Sequence, residues 1–438
     1  MITTTKTQPM TKKMKTTTKI LIGDCLDKLK ELPNGSIHTC CTSPPYWGLR
    51  DYQTGTWVGG DENCSHKRET KKSDKTITGH KNFDEIGGVG DGIYKNVCKR
   101  CGATREDKQL GLEETPEEYV ENMVKVFREV HRVLRDDGTL WLNLGDTYCG
   151  TGHKGDYKDP KHKEGRNSQS VAINNKIKGL KQKDLVGIPW RVALALQADG
   201  WYLRQDIIWH KPNPMPEPVT DRCTKAHEYI FLMSKKSKYF FDNEAIVEKA
   251  RWDRWGNQTE NKEHQGTACH LGGKTLEELP IKTTKNKRSV WTVPTHSYKG
   301  AHFATFPPKL ITPCILAGTS DKGCCADCGS PYERIIEKDR QPTRTGEDTK
   351  TEGLPSSVIG NRDPLRHVTE TKTTGWKPTC GCNTTDIVPC TVLDPFAGSG
   401  TTLAISKEYG RNGVAIELNI EYTSMLSKRV ADKQTLFN

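Results

Sequence analysis

No stretch of this 438-residue chain approaches the roughly 18 consecutive apolar residues that a membrane-spanning helix requires, so a membrane-embedded protein is not expected. Its first residues, MITTTKTQPMTKKMKTTTK, lack the apolar run of a signal peptide, and the expected compartment is the cytoplasm. Apolar residues are scarce throughout, at 33% with a mean hydropathy of −0.73, so much of the chain must be loops or polar insertions. No internal repeat is apparent beyond two similar cysteine-bearing stretches. The length still allows two or three domains around a sizeable core, so covalent staples are not needed.

What the chain does have is an excess of basic residues and of cysteine. Lys plus Arg number 66 against 55 for Asp plus Glu, a formal charge of +11 that mildly favours polyanionic partners. Sixteen cysteines without an export signal argue against a disulfide framework and for metal ligands.

The segment KILIGD at 19–24 reads as a short strand ending in an acid, DCLDKLKELP as a helix, and IHTCCTSPPYW as a second strand running into a Pro-Pro turn. Residues 58–110 break this pattern. Thr115 is the expected helix cap, with Pro116 behind it. Tyr119, Met123, Val126, Phe127, Val130, Val133 and Leu134 then keep helical spacing until Asp137-Gly138, and a strand follows at 139–146. Residues 147–183 are polar and glycine-rich, IPWRVALALQADG is a further helix, and YLRQDIIWHKPN and HEYIFLMSK are strands. The chain closes on a strand, a glycine loop, a helix, a strand and a last helix. This alternation predicts an α/β fold with a doubly wound, mostly parallel, Rossmann-like sheet, decorated by insertions.

Asp394-Pro395-Phe396-Ala397-Gly398-Ser399-Gly400-Thr401-Thr402 ends a strand and opens a helix, where sheets of this class bind nucleotide-like ligands. The glycines permit close backbone approach, and helix-start amides supply donors to an anion. Glu417, at the end of the next strand, is placed to accept from ribose hydroxyls, and Asp24 ends another strand where an adenine amino group would lie. The third glycine of the dinucleotide fingerprint is replaced by Thr401 and Thr402, which favours an amino-acid carboxylate over a pyrophosphate. The implied cofactor is S-adenosyl-L-methionine.

Thr42-Ser43-Pro44-Pro45-Tyr46-Trp47 is the most informative stretch. An exocyclic amine on a base is a poor nucleophile because its lone pair is delocalised into the ring. A site that methylates it must accept both amino hydrogens and hold the nitrogen in line with the methyl donor. Ser43 Oγ and the Pro44 carbonyl are the two candidate acceptors, Pro45 stiffens the turn, and Tyr46 offers a flat face to an extruded base.

On these residues the chain resembles the amino-group DNA methyltransferases, in the permuted class whose Ser/Asp-Pro-Pro-Tyr motif precedes the cofactor motif. The resemblance spans most of the chain. It implies that Asp24 meets the cofactor adenine, that Ser43 to Tyr46 are catalytic, that Asp394 to Thr402 and Glu417 hold the cofactor, and that Trp201 to Pro212 form a late sheet motif. It further implies that His302, Phe303, Thr305 and Phe306, within HFATFP, touch the methionine end. Serine at the head of the turn resembles the cytosine-N4 members, with adenine N6 as the alternative and a catalytically inactive zinc-stabilised DNA-binding protein as a second. Neither Pro313-Cys314 nor Pro389-Cys390 suits the nucleophile of a C5-cytosine enzyme, since Cys314 sits in an apolar helical stretch and Cys390 begins the cofactor strand.

Two cysteine sets have the spacing of tetrahedral Zn²⁺ sites: Cys64 and His66 with Cys98-x-x-Cys101-Gly, and Cys325-x-x-Cys328-Gly with Cys380 and Cys382. Cys324 competes with Cys325, and His80 with His66. The expected organisation is a disordered leader at 1–18, a first part of the catalytic core at 19–57, a zinc-binding insertion at 58–110, and a second part of the core at 111–242 carrying a mobile loop at 147–183. A target-recognition segment at 243–290, a cofactor-side connector at 291–318, a second zinc-binding insertion at 319–387 and the cofactor-binding part at 388–438 follow. The expected partner is double-stranded DNA, with a cognate restriction endonuclease or none.

Overall fold

The computed structural model describes residues 14–48, 52, 54–64, 97–98, 100–149, 179–217, 219–249, 284–295, 306–342 and 367–435. The first half contributes strands β1 (Thr18–Ile22), β2 (Ile37–Thr42), β3 (Thr56–Val58), β4 (Thr104–Glu106), β5 (Leu134–Leu144), β6 (Tyr202–His210) and β7 (His227–Ser234). Its helices are α1 (Cys25–Lys30), α2 (Pro116–Val133) and α3 (Ile188–Ala198). The second half adds β8 (Glu248–Lys249), β9 (Thr284–Lys285), β10 (Val290–Thr292), β11 (Cys324–Cys325), β12 (Glu333–Pro342), β13 (His367–Lys377), β14 (Ile387–Val388), β15 (Thr391–Asp394) and β16 (Asn412–Glu417). Helices α4 (Pro308–Gly318), α5 (Thr401–Glu408) and α6 (Ile420–Thr435) complete it.

Eight strands form one sheet in the order β1-β16-β15-β2-β5-β7-β6-β10. All pairings are parallel except those of β7 with β5 and β6, so β7 alone runs against the rest. The expected doubly wound architecture is present. β2 is buried along its whole length, as a central parallel strand must be. Alternation along the strands divides the core between two faces. Cys40, Leu140, Leu142 and Leu144 pack with α1, α2 and α3, whereas Cys41, Trp141, Trp209 and Trp291 pack with Leu310, Ile311, Cys314 and Ile315 of α4.

Thr115 caps α2 as expected, its Oγ1 accepting from Glu118 N at 3.2 Å. The helix stops earlier than its periodicity suggests. Leu134 leaves helical geometry and pairs with Ile37 of β2, and its buried side chain joins the sheet instead. Arg135 to Gly138 then bulge before Thr139 pairs with Thr39.

Other boundaries also move. Thr18, assigned to the leader, begins β1, and residues 1–13 lie outside the described residues. The two ends of the expected 147–183 loop meet through a Tyr148–Leu185 bridge, and residues 150–178 lie outside the description. Of the 243–290 segment, 250–283 also lie outside it, while Val290 already belongs to the sheet. The second cysteine insertion carries a feature its sequence did not suggest, the antiparallel β12–β13 ribbon. That ribbon is fastened to the core by Arg334, which pairs with Asp242 at 2.8 Å and lies over Trp376.

Candidate active site

The β16, β15, β2 and β5 strands all end on one edge of the sheet, and that edge collects the residues singled out in the sequence. Ile22 pairs with Glu417, and Gly23 N donates to Glu417 O at 2.9 Å, so the acid after β1 and the acid ending β16 are neighbours. Asp24 caps α1, its Oδ1 accepting from Leu26 N and Asp27 N at 2.9 and 3.2 Å. Glu417 closes the glycine loop, with Oε2 accepting from Gly398 N at 2.7 Å and Oε1 from Asn419 N at 2.9 Å. Burial raises its carboxyl pKa above the usual range, against the pull of those amides.

Asp394 is wholly buried and fully engaged. Its Oδ1 accepts from Thr42 Oγ1 at 2.6 Å and from Phe396 N at 3.1 Å, and its Oδ2 from Thr402 Oγ1 at 2.6 Å. Burial raises its pKa, partly offset by the two threonine hydroxyls. Asp394 thus shapes the cofactor loop and ties it to the turn after β2. Pro395 is buried within this loop, while Phe396 packs against the core beside α1 and α2.

Gly400 begins α5 with φ +76° and no side-chain cap, leaving the first amides of the helix to other partners. A Cβ there would lie 2.7 Å from Leu426 Cγ, so only glycine lets α6 pack so close. Arg429 of α6 donates to Ser399 Oγ at 2.7 Å, a support for the loop that its own sequence does not announce.

The turn at Ser43 is braced from outside. Tyr119 of α2 donates to the Pro45 carbonyl at 2.8 Å, and the buried Trp47 donates to Glu113 O at 2.9 Å. Among the described residues no hydrogen bond reaches the Pro44 carbonyl. Tyr46 rests against Gly145, where a Cβ would lie 2.6 Å from its ring. Its hydroxyl accepts from Ser43 Oγ at 3.3 Å and lies 2.8 Å from Glu228 Oε2 and 3.1 Å from Asn143 Oδ1. Burial, then the nearby Glu228 charge, raises its pKa well above the usual phenol range. The sequence assigned no individual role to Thr42, Asn143, Lys211 or Glu228; an acid at the head of the apolar run HEYIFLMS was the one signal available for Glu228.

Of the residues implied for the methionine end, Phe306 packs beside α4, whereas His302, Phe303 and Thr305 lie outside the described residues. His66 and His80 lie outside them as well. The described members of the first set, Cys64, Cys98 and Cys101, bring their Sγ atoms within 4.8 Å of one another. Cys325, Cys328, Cys380 and Cys382 do the same. Both knuckles have one geometry: Gly102 N donates to Cys98 O and Gly329 N to Cys325 O at 2.8 and 2.9 Å, with φ +76° and +70° at the glycines. Nearby amides lower Cys101 to about 6, and Ser330 lowers Cys328 to about 6. A four-cysteine set of this shape fits a tetrahedral ion.

Cys324 faces away from that set, toward His38 and Cys390. His38 has no ring nitrogen to offer a metal, because Nδ1 accepts from Thr391 N at 3.0 Å and Nε2 lies 2.8 Å from Gly329 O. His38 and Arg135, which donates to Cys328 O at 2.6 Å, instead seat the second knuckle on the core.

A family model described as DNA methylase matches residues 37–330 and 388–428. The chain is 33% identical over 413 residues to the type II methyltransferase M.Cfr9I of Citrobacter freundii, covering 94% of this chain and 87% of that protein. To M.SmaI of Serratia marcescens it is 32% identical over 412 residues, covering 94% and 90%. The solved PvuII DNA methyltransferase, described as cytosine-N4-specific, aligns with a TM-score of 0.45 at 15% identity over 97% of this chain and 94% of that one.

Proposed function

Because this chain belongs to the family of N4/N6 amino DNA methylases, we propose that it methylates the N4 amine of cytosine in a specific duplex sequence, with S-adenosylmethionine as methyl donor. One observation carries the reading: Asp394 joins Thr42, next to the Ser-Pro-Pro-Tyr turn, to Thr402, at the start of α5. An amine held at Ser43 is thereby kept beside a ligand held at the glycine loop.

In this reading Ser43 Oγ and the Pro44 carbonyl accept the two amino hydrogens and draw the lone pair out of conjugation. The helix-start amides beyond Gly400 receive a carboxylate, Glu417 receives ribose hydroxyls, and Asp24 receives an adenine amino group. When bound, S-adenosylmethionine supplies an electrophilic methyl carbon on a sulfonium. The residues serve to position and desolvate the amine, and no side chain needs to become covalently attached. Tyr46 presents its ring to an extruded base while Gly145 supports the opposite face. Serine at the head of the turn is the feature that favours cytosine over adenine.

Cys325, Cys328, Cys380 and Cys382 hold a structural Zn²⁺ in the same proposal, and Cys64, Cys98 and Cys101 with His66 hold a second. Metal at these sites would stabilise insertions too polar to build a core of their own. Elemental analysis of the purified protein is expected to return about two zinc ions per chain, and a metal-free, fully folded protein would refute the assignment.

The activity is tested by incubating duplex DNA with methyl-labelled cofactor and digesting to nucleosides. Label in N4-methylcytosine is the expected result. Label in N6-methyladenine moves the substrate to adenine, and cofactor binding without transfer reduces the protein to a DNA-binding module.

A further inference from the structure

The one reversed strand of the sheet brings a carboxylate to the reactive edge. Glu228 lies at the start of β7, which runs against its neighbours, and so reaches the turn that ends β2. It is mostly buried and ion-paired with Lys211, which also lies over the Trp209 ring. Asn143 Nδ2 donates to Glu228 Oε2 at 3.3 Å and to Tyr229 O at 3.0 Å, holding the carboxylate in place.

The hydrogen bonds here share one direction. Ser43 Oγ donates to Tyr46 Oη at 3.3 Å, and Tyr46 Oη donates to Glu228 Oε2 at 2.8 Å. Because its proton is committed to Tyr46, Ser43 Oγ presents only lone pairs to a substrate amine. An amine hydrogen placed on Ser43 would therefore be the first member of an aligned chain ending on a carboxylate.

We propose that Ser43, Tyr46 and Glu228 form a proton wire that removes the surplus amine proton as the methyl group is transferred. The inference rests on the reading of Ser43 as an amine acceptor and extends it to a residue 182 positions beyond Tyr46. In the step, the amine lone pair forms the new N–C bond while the S–C bond breaks and its electron pair stays on sulfur. The nitrogen would be left with a positive charge. Its proton passes to Ser43 Oγ as the serine proton passes to Tyr46 and the tyrosine proton to Glu228. The N–H electron pair returns to nitrogen, and the products are a neutral methylated amine and a protonated Glu228. Because Tyr46 is held as a neutral phenol, it relays a proton without storing charge. Glu228 acts through Tyr46 and Ser43 and is a positioning residue in that sense; of the three members of the wire, Ser43 alone touches the amine.

The test compares Glu228→Gln with the wild type in single-turnover methyl transfer, alongside equilibrium binding of cofactor and DNA. The glutamine carbonyl still accepts from Tyr46, so a merely structural role predicts a nearly normal rate. The wire predicts binding within about twofold and a rate lowered about a hundredfold, as for loss of a proton acceptor. It also predicts that the wild-type step slows in D₂O and that this slowing disappears in Glu228→Gln. Tyr46→Phe, which keeps the ring and removes the relaying hydroxyl, should be slowed similarly, and the double variant no further. A Glu228→Gln rate within about twofold of wild type, a wild-type step insensitive to D₂O, or multiplicative losses in the double variant would each overturn the wire. Failure of the underlying reading is separate: it shows as a wild-type protein that labels no base amine at all.

Discussion

Thr42 and Asp394, 352 residues apart in the chain, share a buried hydrogen bond of 2.6 Å, and it is this contact that holds the Ser-Pro-Pro-Tyr turn against the glycine loop. Neither residue has to touch a substrate for the contact to matter. The position of Ser43 relative to the first turn of α5 depends on it.

Thr42→Val removes the hydroxyl while keeping the shape. We expect a loss of about 1–3 kcal/mol in stability, because a buried carboxylate oxygen loses a donor, together with weaker cofactor binding. Thr42→Ser should restore both. Denaturant unfolding and calorimetric cofactor titration measure the two effects, and a valine variant with wild-type values for both would show that the clamp is dispensable.

Tyr46→Ala should leave cofactor affinity nearly intact and lower turnover, with DNA carrying an unpaired target base bound less tightly by roughly 1–3 kcal/mol, the contribution of one stacked base. Wild-type turnover in this variant would place the extruded base elsewhere.

The raised pKa values of Asp394 and Glu417 have a consequence for stability. Both carboxyls hold their protons more tightly folded than unfolded, so their contribution is fully present below the unfolded carboxyl range and is lost as pH rises through the raised folded values. Asp394→Asn keeps an oxygen for Thr42 and Phe396, while Thr402 can donate to the Cys41 carbonyl at 3.3 Å instead. The variant should therefore fold and show a flatter decline of stability with rising pH. An unchanged slope in urea midpoints across that range would contradict the expectation.

If Cys325, Cys328, Cys380 and Cys382 hold zinc as proposed, Cys328→Ser should release one zinc ion and lower the melting temperature, because the second knuckle would then lose the metal proposed to close it. His38→Ala should lower the melting temperature while retaining zinc, since His38 seats the knuckle and does not ligate it. Elemental analysis with calorimetry separates the two, and loss of zinc from the His38 variant would assign that ring a ligand role.

DNA affinity should fall steeply with added salt, reflecting counterion release from phosphates engaged by a chain with formal charge +11. A flat response in a filter-binding or anisotropy titration would argue against phosphate contacts.

The catalytic turn and the glycine loop could be read from the sequence because each packs its chemistry into a few consecutive residues. Contacts that join distant segments could not. Glu228 reaches Tyr46 only because β7 runs backwards, a topological fact that no local pattern encodes. The choice between Cys324 and Cys325 was open for a similar reason: adjacent positions of β11 project to opposite sides, so one joins the four-cysteine set and the other meets His38 and Cys390. At the end of α2, helical periodicity extended through Leu134, but pairing with Ile37 outweighed it.

The short strand β15 is fastened to β2 by side chains at both of its ends, by His38 at Thr391 and by Thr42 at Asp394. Sliding β15 along β2 by even one pleat would break both contacts, leaving His38 Nδ1 and one Asp394 oxygen each short of a donor in a buried region. The alignment of these two strands is thus locked independently of the backbone ladder. Misthreaded versions of the sheet carry a double penalty, and the loop and the turn reach working distance only in the correctly aligned one.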